Sequence, residues 1–496
     1  MKTDGYFRLG AKIFLILFVL SSICVSPIYL LSQDKVERID NLIQTYYDYG
    51  LFNGTVLVAQ NGEVIFKKGF GQANMEWSIP NGPDTKFRLG SITKQFTATL
   101  ILQLAEKGAI DLEKSLSEYL PYYREDTGKK ITIHHLLTHS SGIPSYTSIP
   151  NFFDEVSRDP YSVEEFIKKY CSGDLEFEPG SKFKYNNSGY FILGAVIEQT
   201  AGKSYEEILY ENIFKPLGMN SSGYDHHADI IPKRATGYET TLDSYRNSPY
   251  LDMSLPYAAG SLYSTVEDLY IWDQSLYTEK LLSKKTKELM FHPHIAAFGG
   301  SYGYGWSINK RKLPESKREI NIISHGGGIN GFNTLIERLV DQKHLIVLLN
   351  NTGGTNLGAM ATSITRILFD EPYDLPKKSI ARTLIGTIKA ENVKNAIELY
   401  HKLKKEHSEE YNFNPQELNT LGYALLQEKR FNDAIEVFLL NTEIFPKNSN
   451  AYDSLAEAYM AKGDKKLAII NFAKSLELNP NNTNAVEQLS RLIKEE

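Results

Sequence analysis

A serine three residues ahead of a lysine can serve as nucleophile and proton acceptor only if both side chains share a face. Residues three apart do so on a helix and point to opposite sides on a strand. The pattern S-x-x-K occurs four times in the sequence, at Ser32/Lys35, Ser91/Lys94, Ser181/Lys184 and Ser307/Lys310. Ser307 lies in "WSINKRK", which predicts a strand; Ser32 closes an apolar N-terminal run; Ser181 follows Pro179-Gly180 in a predicted loop. Ser91 differs. It opens "SITKQFTATLILQLAEKGAIDL", where Ile92, Phe96, Leu100 and Leu104 recur every four residues and Gly108 offers a stop. The spacing predicts a helix with Ser91 at its N-terminus. There, free N–H groups and the helix dipole favour the negative charge that develops when a serine attacks a carbonyl.

A serine nucleophile also needs an oxyanion site and groups that handle the leaving atom. In "FKYNNSGYFILG", Tyr185 could relay a proton and Asn187 could orient a substrate amide, although a tyrosine and asparagine at this spacing are more often a turn. In "ISHGGGINGF", His325 stands at a predicted strand end before three glycines. Glycines let a backbone approach a ligand closely, so the N–H of Gly328 is a candidate oxyanion donor. A competing serine, Ser301 in "GGSYG", matches the G-x-S-x-G elbow. That elbow needs a strand before it and a helix after it, and "YGYGWSINK" reads as strand. The histidines of "IHHLLTH" show no metal-ligand spacing and read as helix and turn residues, and no phosphate loop or dinucleotide fingerprint occurs. No cofactor is expected.

The elements that must carry these residues come from both ends of a long segment. "NGTVLVAQNGEVIFKKGFG" predicts two strands joined by Asn61-Gly62, a strong hairpin signal. Strand character returns after residue 300 in "YGYGWSINKRK", "EINIISHGGG", "FNTLIERLV" and "HLIVLLNN", with a mainly helical middle between. The pattern predicts an α+β arrangement: one antiparallel sheet with helices packed on it and an inserted helical lobe over residues 36–370.

Beyond this, residues 380–496 have another character. A 34-residue offset superposes Leu421 on Leu455, Ala424 on Ala458, Ala434 on Ala468, Phe438 on Phe472 and Pro446 on Pro480. That is the helix–turn–helix period of tetratricopeptide repeats, with "NVKNAIELYHKLKKEH" as a degenerate earlier unit and "AVEQLSRLIKEE" as a terminal cap. Such an all-α domain suits a protein partner. At the other end, Lys2, Arg8 and Lys12 precede an apolar run from Ile13 to Leu31, so residues 1–33 read as a signal peptide or membrane anchor and the protein as exported. Ile23 is too large for a lipoprotein cleavage box at Cys24. Cys171 is the only other cysteine, so no disulfide framework is expected. The 496 residues carry a net charge of −6, which argues against nucleic acid as the main partner.

Together the three motifs resemble the serine β-lactamase and penicillin-binding-protein superfamily, in its class C β-lactamase, D-alanyl-D-alanine carboxypeptidase and esterase branch. They are Ser91-Ile92-Thr93-Lys94, Tyr185-Asn186-Asn187 and His325-Gly326-Gly327, supported by "ITIHHLLTHSSGIPSY", "PLGM" and "AAGSLYSTVEDL". The resemblance implies the β-lactamase/transpeptidase-like fold and an acyl-enzyme on Ser91, formed from a small-molecule ester, amide or peptide. It implies Lys94, or Tyr185 working with it, as base, and the N–H groups of Ser91 and Gly328 as oxyanion donors. Asn187 would position substrate and Lys94, and His325 and Gly327 would bind substrate. His325 stands where typical β-lactamases have lysine, which favours an esterase or D-amino-acid peptidase over a β-lactamase. The competing expectation is a penicillin-binding-like scaffold with little catalysis that recruits a partner through its repeats.

Overall fold

Residues 27–494 are described by the computed structural model of the chain, with side chains from Asp34 onward. The basic and apolar stretch expected to direct export therefore lies almost wholly outside the described residues. No helix among the described residues is long and apolar enough to cross a membrane.

The chain divides into two compact units: residues up to Tyr238 with Asn247–Asp374, and Glu239–Arg246 with the chain from Leu375 onward. The first is built on an eight-stranded sheet. Its strands are β1 (Gly54–Gln60), β2 (Glu63–Phe70), β3 (Ile295–Ala297), β4 (Gly300–Tyr302), β5 (Ser307–Lys312), β6 (Glu319–Ile329), β7 (Phe332–Leu339) and β8 (His344–Asn350), in the order β3-β4-β5-β6-β7-β8-β1-β2. All neighbours are antiparallel. The N-terminal hairpin joins the C-terminal strands through β1 and β8, with Leu57 opposite Val347. At the hairpin tip Asn61 and Gly62 both take positive φ, 55° and 87°, as a tight turn of this hand requires.

The two faces of β1 and β8 show why both strands are apolar through Val56–Ala59 and Leu345–Leu349. Leu57, Leu345, Val347 and Leu349 enter the core shared with the helical middle. Val56, Val58, Ile346 and Leu348 enter a second core on the opposite face, under helices α1 (Pro27–Asp48) and α5 (Leu357–Leu368). Lys35 is buried, with Nζ 2.9 Å from the Leu368 carbonyl and 2.8 Å from Asp370.

Three helices of the middle matter for the site: α2 (Thr93–Glu106), α3 (Asn187–Ala201) and α4 (Val266–Ser275). Every residue of α2 from Thr93 to Leu102 is buried, so the helix runs through the interior. The middle is less purely helical than its sequence suggests. Phe87–Arg88, Leu262–Ser264 and Gly223–Tyr224 form a small antiparallel sheet, too short to leave a periodicity.

The second unit holds seven helices among the described residues, from Ile380–Ala390 to Thr483–Lys494. Of the residues that superpose at the 34-residue offset, Ala434, Ala458, Ala468, Phe438 and Phe472 are fully buried, whereas Pro446 and Pro480 lie exposed beyond the helix ends. Eight residues from mid-chain, Glu239–Arg246, belong to this unit. Leu242 packs on its core and Asp243 pairs with Lys389 at 2.8 Å. Nothing in their sequence distinguishes them from the hydrolase segment around them.

Candidate active site

Ser91 does not sit in the α-helix itself. It lies in a 3-10 turn, Gly90–Ile92, between the short strand Phe87–Arg88 and α2. The turn keeps Lys94 one turn along and on the same side, so Nζ reaches the Ser91 Oγ at 3.0 Å. Of the other S-x-x-K pairs, Ser307 and Lys310 lie in β5, Lys184 pairs with Glu176, and Lys35 with Asp370. Ser301 lies in β4 opposite Ile308, with no helix after it.

Lys94 is completely buried, and burial pushes its ammonium well below the ordinary 10.5. Besides Ser91, Nζ lies 2.9 Å from Asn187 Oδ1 and 2.8 Å from the Ala259 carbonyl oxygen. Both of these only accept hydrogen bonds. A neutral amine gives them its two hydrogens and is left with one lone pair, directed at the Ser91 hydroxyl. On its other side Asn187 donates from Nδ2 to Thr147 Oγ1 at 3.1 Å and from its backbone N–H to Ser145 Oγ at 3.2 Å. Its neighbour Asn186 is structural: it caps α3 by accepting from the Gly189 N–H at 2.7 Å.

Tyr185 stands beside this pair, with Lys94 Nζ 5.0 Å from its ring centre. Its buried hydroxyl makes no hydrogen bond of ordinary geometry. Burial raises its pKa above the ordinary 10, and the nearby Ser91 offsets this only in part. The phenol is therefore neutral and the lysine is the stronger candidate base.

His325 is 7% exposed. Its Nδ1 lies 2.6 Å from the Gly326 carbonyl oxygen, which only accepts, so Nδ1 carries the hydrogen and Nε2 accepts from the Tyr302 hydroxyl at 2.8 Å. Burial, assisted by Lys94, takes its pKa down to about 4. At neutral pH His325 has neither positive charge nor a free N–H.

Glycines bring the nucleophile turn and β6 together. Gly90 has φ +56°, and a Cβ on it would lie 2.9 Å from the backbone N of Gly328; a Cβ on Gly327 would lie 1.9 Å from the Leu89 carbonyl oxygen. Ser91 and Gly328 both border the same two cavities.

Three contributors had no signal as site residues in the sequence. Ala259 acts through its carbonyl, which any residue has. Tyr302 sits in a strand far from the motifs. His139, which follows "HHLLT" and reads as a turn residue, does turn the chain, at φ 56°, but is buried against the rings of Tyr185 at 4.3 Å and Tyr302 at 4.8 Å. Its Nδ1 accepts from the Asn186 N–H at 3.1 Å. Burial and the nearby Lys94 hold it neutral. Among the described residues no cluster of side chains could hold a metal ion.

The beta-lactamase family model matches residues 39–368. The chain belongs to the beta-lactamase family. A tetratricopeptide-repeat model matches residues 449–482. Penicillin-binding protein 4* of Bacillus subtilis is 31% identical over 378 residues, 70% of this chain and 79% of its own length. The teichoic acid D-alanine hydrolase of Staphylococcus aureus is 29% identical over 335 residues, 67% of this chain and 77% of its own. The octameric penicillin-binding protein homologue from Pyrococcus abyssi superposes with a TM-score of 0.58 at 30% identity, over 70% of this chain and 80% of that one.

Proposed function

We propose that the chain is an exported serine hydrolase that cleaves an ester or amide through an acyl-enzyme on Ser91, with neutral Lys94 as its base. One observation carries this reading: a fully buried lysine whose hydrogens are claimed by Asn187 and Ala259 and whose remaining contact is the Ser91 hydroxyl. Lys94 takes the hydroxyl proton as Oγ bonds to the carbonyl carbon. The N–H groups of Ser91 and Gly328 hold the oxyanion. The Tyr185 hydroxyl passes a proton to the leaving atom and is resupplied from Lys94, and a water molecule reverses these roles to release the acid.

A scaffold that only binds would gain nothing from a desolvated lysine beside a serine; such an arrangement costs stability and marks a site of proton transfer. Export rests on the basic and apolar N-terminus, and a protein partner on the repeats.

A fluorophosphonate probe should label Ser91 in the protein as made, and Ser91→Ala should abolish labelling and ester turnover. Lys94→Arg, which keeps a cation that cannot deprotonate, should lose about as much, because nucleophile and base act as a unit. Turnover should hold at pH 7–8, where a lysine at its ordinary 10.5 would be protonated. Activity that appears only above pH 10 would show Lys94 titrating at its ordinary value and would refute a neutral Lys94 as base at pH 7–8. Full turnover by Ser91→Ala would refute the site.

A further inference from the structure

Two cavities meet at Ser91. One, of about 310 Å³, is walled by Phe152, Phe153, Leu251, Leu255 and Ile329, and no charged residue borders it. The other, of about 600 Å³, is bordered by Tyr185, Tyr302 and His325 as well as Phe298, Leu335 and Leu357. Tyr185 borders only the second. The leaving atom must receive a proton as its bond to the carbonyl carbon breaks, so the leaving group belongs on the Tyr185 side and the acyl group in the apolar cavity. This assignment rests on the hydrolase reading above.

We infer that the acyl group this protein accepts is uncharged and apolar, and that Phe153 at the rim of the cavity sets that preference. Phe153 borders the cavity and is 49% exposed, which places its ring at the rim. It is held edge-on to buried Phe152 with ring centres 5.3 Å apart, within a π-helical turn, Phe152–Val156. An α-ammonium next to the reacting carbonyl, as in an aminoacyl ester, would enter a cavity with no carboxylate to pair it, and an unpaired buried charge is strongly disfavoured. The reaction itself is ordinary acyl transfer. The Ser91 Oγ–acyl bond forms as the acyl–oxygen bond of the ester breaks, and the serine proton leaves with the departing alcohol or phenol by way of Lys94 and Tyr185.

The test compares p-nitrophenyl acetate, butyrate and 2-aminobutyrate at pH 6.5, where the amino ester is protonated, with spontaneous hydrolysis subtracted. At about fourfold per buried methylene, kcat/KM should rise on the order of tenfold from acetate to butyrate. It should fall at least tenfold from butyrate to 2-aminobutyrate. Phe153→Glu, at an exposed position where folding is not at risk, should cut the butyrate-to-aminobutyrate ratio by tenfold or more, and Phe153→Ala should flatten the acetate-to-butyrate gain.

Fluorophosphonate labelling of Ser91, measured on the same samples, separates the two levels of the argument. Labelled protein that hydrolyses the amino ester as well as butyrate, or whose ratio does not move in Phe153→Glu, overturns this inference and leaves the hydrolase reading standing. Protein that takes no label removes that reading, and this inference with it.

Discussion

Gly327→Ala should disable the site through a single methyl group that touches no substrate. An added Cβ would lie 1.9 Å from the Leu89 carbonyl oxygen and 2.3 Å from Thr334 Oγ1. Neither can step aside freely. The Leu89 oxygen accepts from Thr334 Oγ1 at 2.7 Å, and the Leu89 N–H donates to the Leu262 carbonyl at 2.7 Å. Opening the closest contact to even 3.0 Å moves the two backbones about 1.1 Å apart. Leu89 is two residues before Ser91, and Gly327 one before Gly328, so that displacement falls between the nucleophile and the second oxyanion donor. Misplacement of about 1 Å costs roughly 100-fold in rate, and overpacking of this kind costs about 1–3 kcal/mol in stability. The assay is kcat/KM for a p-nitrophenyl ester, with urea unfolding on the same protein. Gly326→Ala is the control, since its Cβ would meet nothing closer than the Thr334 carbonyl oxygen at 3.6 Å; it should stay within about threefold of the parent, well inside the loss expected at 327. A Gly327→Ala protein that kept its rate, or a Gly326→Ala protein damaged to the same degree, would refute the argument from close backbone approach.

His325→Lys should improve penicillin acylation more than ester turnover, by about tenfold, because one charge–carboxylate contact is worth about 1.5–3 kcal/mol; efficient nitrocefin hydrolysis by the unmodified protein would contradict this. Stability should fall as the medium is acidified from pH 6.5 to about 4. In that window the unfolded chain protonates a histidine with its ordinary value of 6.5, while folded His325 stays neutral down to about 4, so the unfolded state binds more protons and gains. At 1.36 kcal/mol per pH unit this one group contributes about 3 kcal/mol above pH 6.5 that is lost by pH 4, and urea unfolding of His325→Gln should show a shallower slope over the same range. Deleting residues 380–496 should leave a folded, probe-labelled hydrolase unit, because repeats bury their faces mainly against one another. That deletion also takes Lys389 and the repeat core from Asp243 and Leu242, so proteolysis should open within residues 239–246; loss of labelling would show that the repeats are integral to the hydrolase core.

The sequence alone determined whatever depends on spacing within one element or on repetition. Ser91 and Lys94 share a side because they are three apart on a tightly wound segment, and the 34-residue period marks the repeats whatever they pack against. The alternation of β1 and β8 is absent because both faces are covered, yet their length and flanking turns still read as strands. Only the tertiary structure bears on which group could serve as base. That choice depends on desolvation of Lys94 and Tyr185 and on a backbone carbonyl at Ala259, and no residue type announces a carbonyl's direction. The same holds for His325, whose neutrality follows from burial and from Tyr302, and for His139, whose place in a short loop hides its position among the rings of the site. Residues 239–246 passed unnoticed for a related reason: membership of a packed unit is set by contacts made hundreds of ångströms of extended chain away, which local composition does not encode.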